Sequence, residues 1–158
     1  MIMTEYLGDR TLLDLPKTAF LASGTVLPEL VLRCYDWAQR MGRAGGGCVV
    51  SGFSSHVEER VLRLLLRGTQ PIVVVLARRM YRRVPPEWQP HVDSGRMLIV
   101  AASASARQSR ATAQARNRYV CQLADRIVIV GPDEGTSLAG LRRDFAAKLS
   151  PLAPGMDA

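Results

Sequence analysis

Residues 71–77 read PIVVVLA and residues 126–130 read RIVIV. A strand with one face in water alternates apolar and polar residues with a period of two. These two stretches do not alternate, and β-branched residues fill almost every position. Short runs of this kind fit strands covered by helices on both faces, which is the condition of a parallel sheet. Three more short apolar runs, at 18–22, 47–51 and 97–101, bring the expected strands to five.

Helical patterns lie between the runs. Leu27, Leu30, Val31, Cys34, Ala38 and Met41 keep one face of a helix that Gly42 ends. Val57, Val61, Leu64 and Leu65 form the apolar face of a second, which Gly68 ends. A third is expected over 111–124. A fourth spans 137–149, with Ser137 or Thr136 as its cap. Alternating strands and helices imply βαβ units. The fold class expected is therefore α/β, a Rossmann-like parallel sheet of five or more strands with helices on both faces. One such domain is expected over residues 1–150, with a flexible tail at 151–158. Residues 1–17 are expected to add an edge segment, 43–47 a glycine-rich turn, and 84–90 a proline-rich connection with a helical turn. Trp37 falls on the solvent side of the first helix or at an interface.

The 158 residues carry a formal net charge of +7, and the only lysines are Lys17 and Lys148. Arginine suits phosphate because its planar fork donates two hydrogen bonds at once. The bulk composition fits an arginine-preferring proteome equally well, so the clusters matter more than the total. Cys34, Cys48 and Cys121 are far apart and lie in apolar patterns, which suits buried free thiols; no metal site and no cofactor is expected. Acidic residues interrupt the first 18 positions, and no apolar run approaches the ~20 residues of a membrane helix, so the expected location is the cytoplasm.

Open α/β sheets bind ligands beyond the carboxyl ends of their strands. The first run ends in Ser23-Gly24-Thr25 and the second in Ser51-Gly52-Phe53-Ser54-Ser55-His56. The last ends in a turn from Gly131 to Gly135-Thr136-Ser137. Small, hydroxyl-bearing turns that open helices favour anions, because helix amino termini present free N–H groups. The third run ends in Arg78-Arg79-Met80-Tyr81-Arg82-Arg83, a basic loop suited to nucleic acid. Trp88, close to it in sequence, is a candidate for stacking on a base. Within the third helix, Arg116-Asn117-Arg118 stands out. The helical wheel puts Asn117 on the buried face, Arg116 at its border and Arg118 outside it. A buried Asn must find partners and is expected to pin a neighbouring loop. Arg116 is then expected to point into the crevice. Glu58-Glu59 are read as carboxylates favouring a helix dipole.

Several segments resemble the DprA/Smf-like DNA-processing family of the SLOG superfamily. CVVSGF at 48–53 is similar to that family's VVSGLA, and GTQPIVVVL at 68–76 to its G-x-TIAVL strand. Tyr81 and Pro85 resemble its YP element, and DSGRMLI at 93–99 its x-x-G-x-LLSE segment. RNRYVCQLADRIVIV at 116–130 is similar to RNRIIAGLSDAVVVVE. The resemblance implies a Rossmann-like domain that binds single-stranded DNA, with a RecA-like recombinase as partner and a homodimer as assembly. By position it implies Ser51, Gly52, Arg116, Asn117 and Arg118 in the binding crevice. The family's GID reads His56-Val57-Glu58 here, and its GSR turn reads Ser23-Gly24-Thr25.

ADRIVIVGPDEGT at 124–136 is also similar to the ADAFIALPGGYGT motif of the cousin LOG-type nucleotide phosphoribohydrolases. Their motif continues Gly-Thr-x-x-Glu, and that glutamate position holds Ala139. Without the carboxylate the acid/base group is missing, so a non-catalytic domain is expected. The alternative readings are a sensor of one free nucleotide in the same crevice and a LOG-like enzyme.

Overall fold

The computed structural model describes residues 4–152. Six strands form one sheet: β1 (Glu5–Leu7), β2 (Lys17–Ala22), β3 (Cys48–Ser51), β4 (Ile72–Leu76), β5 (Met97–Ala101) and β6 (Arg126–Val130). Their order across the sheet is β1-β5-β4-β3-β2-β6. Every pairing is parallel except that of β1, which runs antiparallel to β5 with Tyr6 opposite Val100. The expected edge segment is thus a short reversed strand. The helices are α1 (Pro28–Arg43), α2 (His56–Leu66), α3 (Gln89–Asp93), α4 (Arg110–Leu123) and α5 (Leu138–Asp144).

The unbroken apolar strands are buried on both sides, as the sequence implied. In β4, Ile72, Val74 and Leu76 join a core roofed by α1, α2 and α3. Val73 and Val75 point the other way, into a core roofed by α4 and α5. Period-two side chains and two helical layers account for a strand with no polar position. The layer of α1 and α2 is held close by glycines. A Cβ on Gly68 would lie 2.2 Å from the Gly42 carbonyl oxygen, so the α1 and α2 carboxyl ends touch backbone to backbone.

Three expectations are corrected. Trp37 is 5% exposed rather than solvent-facing, and it stacks on Phe20 of β2 with centroids 4.9 Å apart. The last helix is shorter than 137–149: α5 ends at Asp144, and a 3-10 turn, Ala146–Lys148, follows. Beyond it the chain lies beside β6, where the Ser150 N–H donates to the Ile127 carbonyl at 2.8 Å. Leu152, placed by the sequence in a flexible tail, is 3% exposed and packed into the core. The rest of that tail, 153–158, lies outside the described residues.

Candidate nucleic-acid interface

From β2 the chain goes to β3 on one side, and it later returns to place β6 on the other. The carboxyl ends of β2 and β6 therefore flank the point where the strand order reverses, where doubly wound sheets open a crevice. A cavity of about 670 Å³ lies there, lined by Thr25, Val26, Pro28, Val130, Pro132 and Arg142, among others. The α1 amino terminus borders it without a side-chain cap.

The turns around this crevice hold one another closely. Gly131 has φ +121°, and a Cβ there would lie 2.3 Å from Ser23 Oγ. Ser23 is buried and committed to its own turn: its Oγ donates to the Thr25 carbonyl at 2.7 Å and accepts the Thr25 N–H at 3.2 Å. Gly24 is exposed, has no left-handed backbone, and would place a Cβ in open space. No packing contact within 4 Å and no left-handed backbone requires glycine at 24. Arg142 was not anticipated. Its Nη2 donates to the Gly131 carbonyl at 2.7 Å, and its Nη1 pairs with Asp133. Thr136, not Ser137, caps α5: Thr136 Oγ1 accepts the Leu138 N–H at 3.2 Å and donates to the Pro132 carbonyl at 2.8 Å. Ser137 is exposed with no side-chain cap bond, and Gly135 supplies a left-handed turn at φ +70°.

One strand further in, the turn after β3 is built around Arg116. The sequence expectation is reversed here: Arg116 is the buried residue, at 4% exposed, and Asn117 is half-buried. The wheel assigned the apolar direction correctly, but a long arginine stem can bury while its head finds oxygen atoms. Arg116 Nη2 donates to Ser54 Oγ at 2.8 Å, Nη1 to the Val75 carbonyl at 3.3 Å, and Nε to Asn117 Oδ1 at 2.8 Å. It is the arginine, oriented by the asparagine, that pins the loop. Burial pushes its guanidinium pKa below the usual range, and the Glu58 carboxylate offsets only part of that effect. Gly52 is what makes room, since a Cβ there would lie 2.2 Å from Arg116 Cζ. Ser51 Oγ accepts the Phe53 N–H at 3.0 Å, and buried Phe53 sits at φ 49°, a conformation a bulky residue rarely adopts.

Glu58 does more than favour a helix dipole. It is 4% exposed, and its carboxylate accepts N–H groups from Ala22 at 2.9 Å, Ser54 at 3.0 Å and Ser55 at 3.3 Å. It therefore ties the end of β2 to the turn after β3. The capping box that Ser55 and Glu58 form was the legible signal for it. Arg118 is not part of this group. It is exposed on the far side of α4, where it pairs with Asp144 at 2.8 Å and lies over the Phe145 ring.

The basic loop follows β4. Arg78 is half-buried over the Tyr81 ring, 4.8 Å from its centroid, and Tyr81 meets Trp88 edge to face at 5.9 Å. Trp88 is thus half-buried against its own loop rather than free. Arg79, Arg82 and Arg83 are exposed. The Arg79 N–H donates to the Ser105 carbonyl at 2.7 Å, which joins this loop to the one that carries Arg107 and leads into Arg110, the first residue of α4. None of these five exposed arginines has an ion-pair partner among the described residues. Below them a slot of about 280 Å³ opens between Ala77, Ala102 and the α4 residues Ala111, Ala115 and Tyr119.

No family model matches the chain, and no curated protein matches it in sequence. Solved structures do match. The DNA processing protein A of Helicobacter pylori, described for a unique single-stranded DNA binding mode, superposes with a TM-score of 0.71 at 21% identity. The match covers 94% of this chain and 70% of that one. DprA of Streptococcus pneumoniae gives a TM-score of 0.72 at 16% identity over 94% of this chain and 53% of its own. The fold is DprA-like. A more distant likeness, to the molybdenum cofactor carrier protein of Chlamydomonas reinhardtii, has a TM-score of 0.54 at 14% identity, over 86% of this chain and 74% of that one. The DprA-like sheet thus accounts for nearly the whole of this chain but for about half of the pneumococcal protein. No helix of the described residues is long and apolar enough to cross a membrane, and none of their His, Cys, Asp and Glu residues group as metal ligands.

Proposed function

We propose that this domain binds single-stranded DNA along the carboxyl edge of its sheet, as a non-catalytic DprA-like module of DNA processing or recombination. One observation carries the reading. Arg79, Arg82, Arg83 and Arg107, on two loops that a backbone hydrogen bond joins, and Arg110, the first residue of α4, stand exposed and without an ion-pair partner among the described residues. Unpaired guanidinium groups along one edge form a track for phosphates. The likeness to the Helicobacter protein supports a single-stranded ligand. Arg116, Glu58 and Gly52 then act beneath the track, holding the turn after β3 in shape, and Gly24 offers backbone to the ligand. A cytoplasmic location, a RecA-like recombinase partner and a homodimer belong to the same reading.

Fluorescence anisotropy with a labelled single strand of about 20 nucleotides tests it. Five contacts by these arginines give a slope of log K against log salt near −3.5, at about −0.7 per phosphate on single strands. Arg82→Ala/Arg83→Ala is expected to reduce the slope by about 1.4 and to weaken binding at low salt. AMP and GMP in excess should not displace the strand. Absence of binding at low salt refutes the reading. Displacement by a mononucleotide favours the second reading, a one-nucleotide sensor, for which the 670 Å³ cavity at the strand-order reversal is the specific support.

A further inference from the structure

The slot beneath the arginine loops differs in kind from the rest of that edge. It encloses about 280 Å³, and Leu76, Ala77, Ala102, Ala111, Ala115 and Tyr119 supply most of its wall. All but Tyr119 are aliphatic, and Tyr119 adds a ring. Ser103 and Thr112 border the slot too, but their hydroxyls are committed to nearby backbone. Ser103 Oγ accepts the Ser105 N–H at 3.1 Å, and Thr112 Oγ1 accepts the Ser109 N–H at 2.8 Å and donates to the Ser109 carbonyl at 3.2 Å. Arg116 borders it as well, with all three guanidinium nitrogens donating elsewhere, to Asn117, Val75 and Ser54. The wall therefore offers apolar contact rather than charge. Ala111 and Ala115 lie on one face of α4, four residues apart and both exposed, and a larger side chain at either would fill the opening.

The charge lies on the rim instead. Ala77 runs directly into Arg78 and Arg79, and Arg110 directly precedes Ala111. The Arg79 N–H donates to the carbonyl of Ser105, two residues past Ser103. The slot thus sits between the two arms of the arginine track, whose exposed members have no ion-pair partner among the described residues. An apolar cleft rimmed by unpaired guanidinium groups complements a flat apolar group with anions beside it. A single strand repeats that pair, one base for each phosphate. Pockets that enclose a whole drug-sized ligand hold about 300–1,000 Å³, so this slot has room for a ring system rather than for a complete nucleotide.

We propose that the slot takes one unstacked base of the bound strand, seated against Ala111, Ala115 and Tyr119, while the flanking phosphates lie on the rim arginines. This rests on the reading of the edge as a single-stranded DNA interface, and it adds that the edge reads bases as well as backbone. Anisotropy with two labelled strands of about 20 units tests it, one oligothymidine and one an abasic sugar-phosphate chain of equal charge. The full chain should bind oligothymidine about 5–10-fold more tightly than the abasic strand, the low end of what stacking on an aromatic ring contributes. Ala111→Leu and Ala115→Leu should each remove that preference, leave abasic binding within about 2-fold, and leave the salt slope unchanged, because no phosphate contact is lost. Leucine is close to alanine in helix propensity and both positions are exposed, so both variants should melt within about 2 °C of the parent. Equal binding of the two strands by the parent overturns the base slot and leaves the DNA reading standing. The slot then serves an apolar side chain of a protein or nothing. A preference that survives both leucine variants overturns it as well, as does an equal loss on both strands, which would place the leucine's effect on the phosphate track. Failure of either strand to bind at low salt sinks the DNA reading and the base slot together.

Discussion

Gly52→Ala puts the Arg116 clamp to a direct test. The added Cβ would lie 2.2 Å from both Cζ and Nη1 of Arg116 and 2.4 Å from Nε. Comfortable heavy-atom contact needs about 3.5 Å, so the guanidinium must retreat by more than about 1 Å. Its bonds to Ser54 Oγ and Asn117 Oδ1, both 2.8 Å long, then pass the limit of hydrogen bonding. Hydrogen bonds to a charged group contribute about 1.5–3 kcal/mol each. Ser54 is exposed, so water restores part of that loss. Gly52 has no left-handed backbone, so alanine there adds about 0.4–1 kcal/mol through the unfolded chain. The net expectation is a destabilisation of about 2 kcal/mol. Urea unfolding measures it, as a lower midpoint at unchanged slope. The double variant Gly52→Ala/Arg116→Ala decides the cause. With the guanidinium gone, alanine at 52 loses its three nearest contacts and should add little to Arg116→Ala alone, a coupling of about 2 kcal/mol. If Gly52→Ala is as damaging in the Arg116→Ala background as in the parent, the steric reasoning is wrong.

Two further outcomes follow from the same geometry. Gly68→Ala should lower the urea midpoint, by about 2–3 kcal/mol of stability, because its Cβ would meet the Gly42 backbone at 2.2 Å and packed backbone cannot yield cheaply; a loss under about 0.5 kcal/mol would show that the α1–α2 contact is loose. Asp125 accepts the Lys17 N–H at 2.8 Å, and that bond holds its pKa below the ordinary 3.8. A carboxylate depressed in the folded state contributes stability above its unfolded pKa and loses it as the pH falls through the folded value. Below pH 3.8 the parent should therefore shed stability that Asp125→Asn never had, and acid unfolding curves of the two proteins should converge there.

The expectations drawn from sequence fared differently for a physical reason in each case. Strands such as PIVVVLA were legible because burial on both faces removes the polar positions a one-sided strand keeps. The basic loop after β4 was legible because four arginines lie within six residues. Arg107 and Arg110 were not grouped with it, since a backbone bond between Arg79 and Ser105 is what brings the segment before α4 beside that loop. Trp37 was misplaced because its contact is Phe20, a residue of another element. Arg142 was missed because its partners, Gly131 and Asp133, become neighbours only when α5 folds back over the end of β6.

By itself, then, the chain determined its elements and its class, because hydrophobic period and turn residues act within a few positions of one another. It also determined that the loop after β4 is basic, since that loop directly follows its strand in sequence. The tertiary structure alone decided the strand order, and with it the place where β2 and β6 part. It also decided that Arg116 rather than Asn117 pins the turn after β3. A helical wheel gives a direction only. How far a side chain reaches, and whether an oxygen waits there, depends on Ser54 and Val75, which are 62 and 41 residues away along the chain.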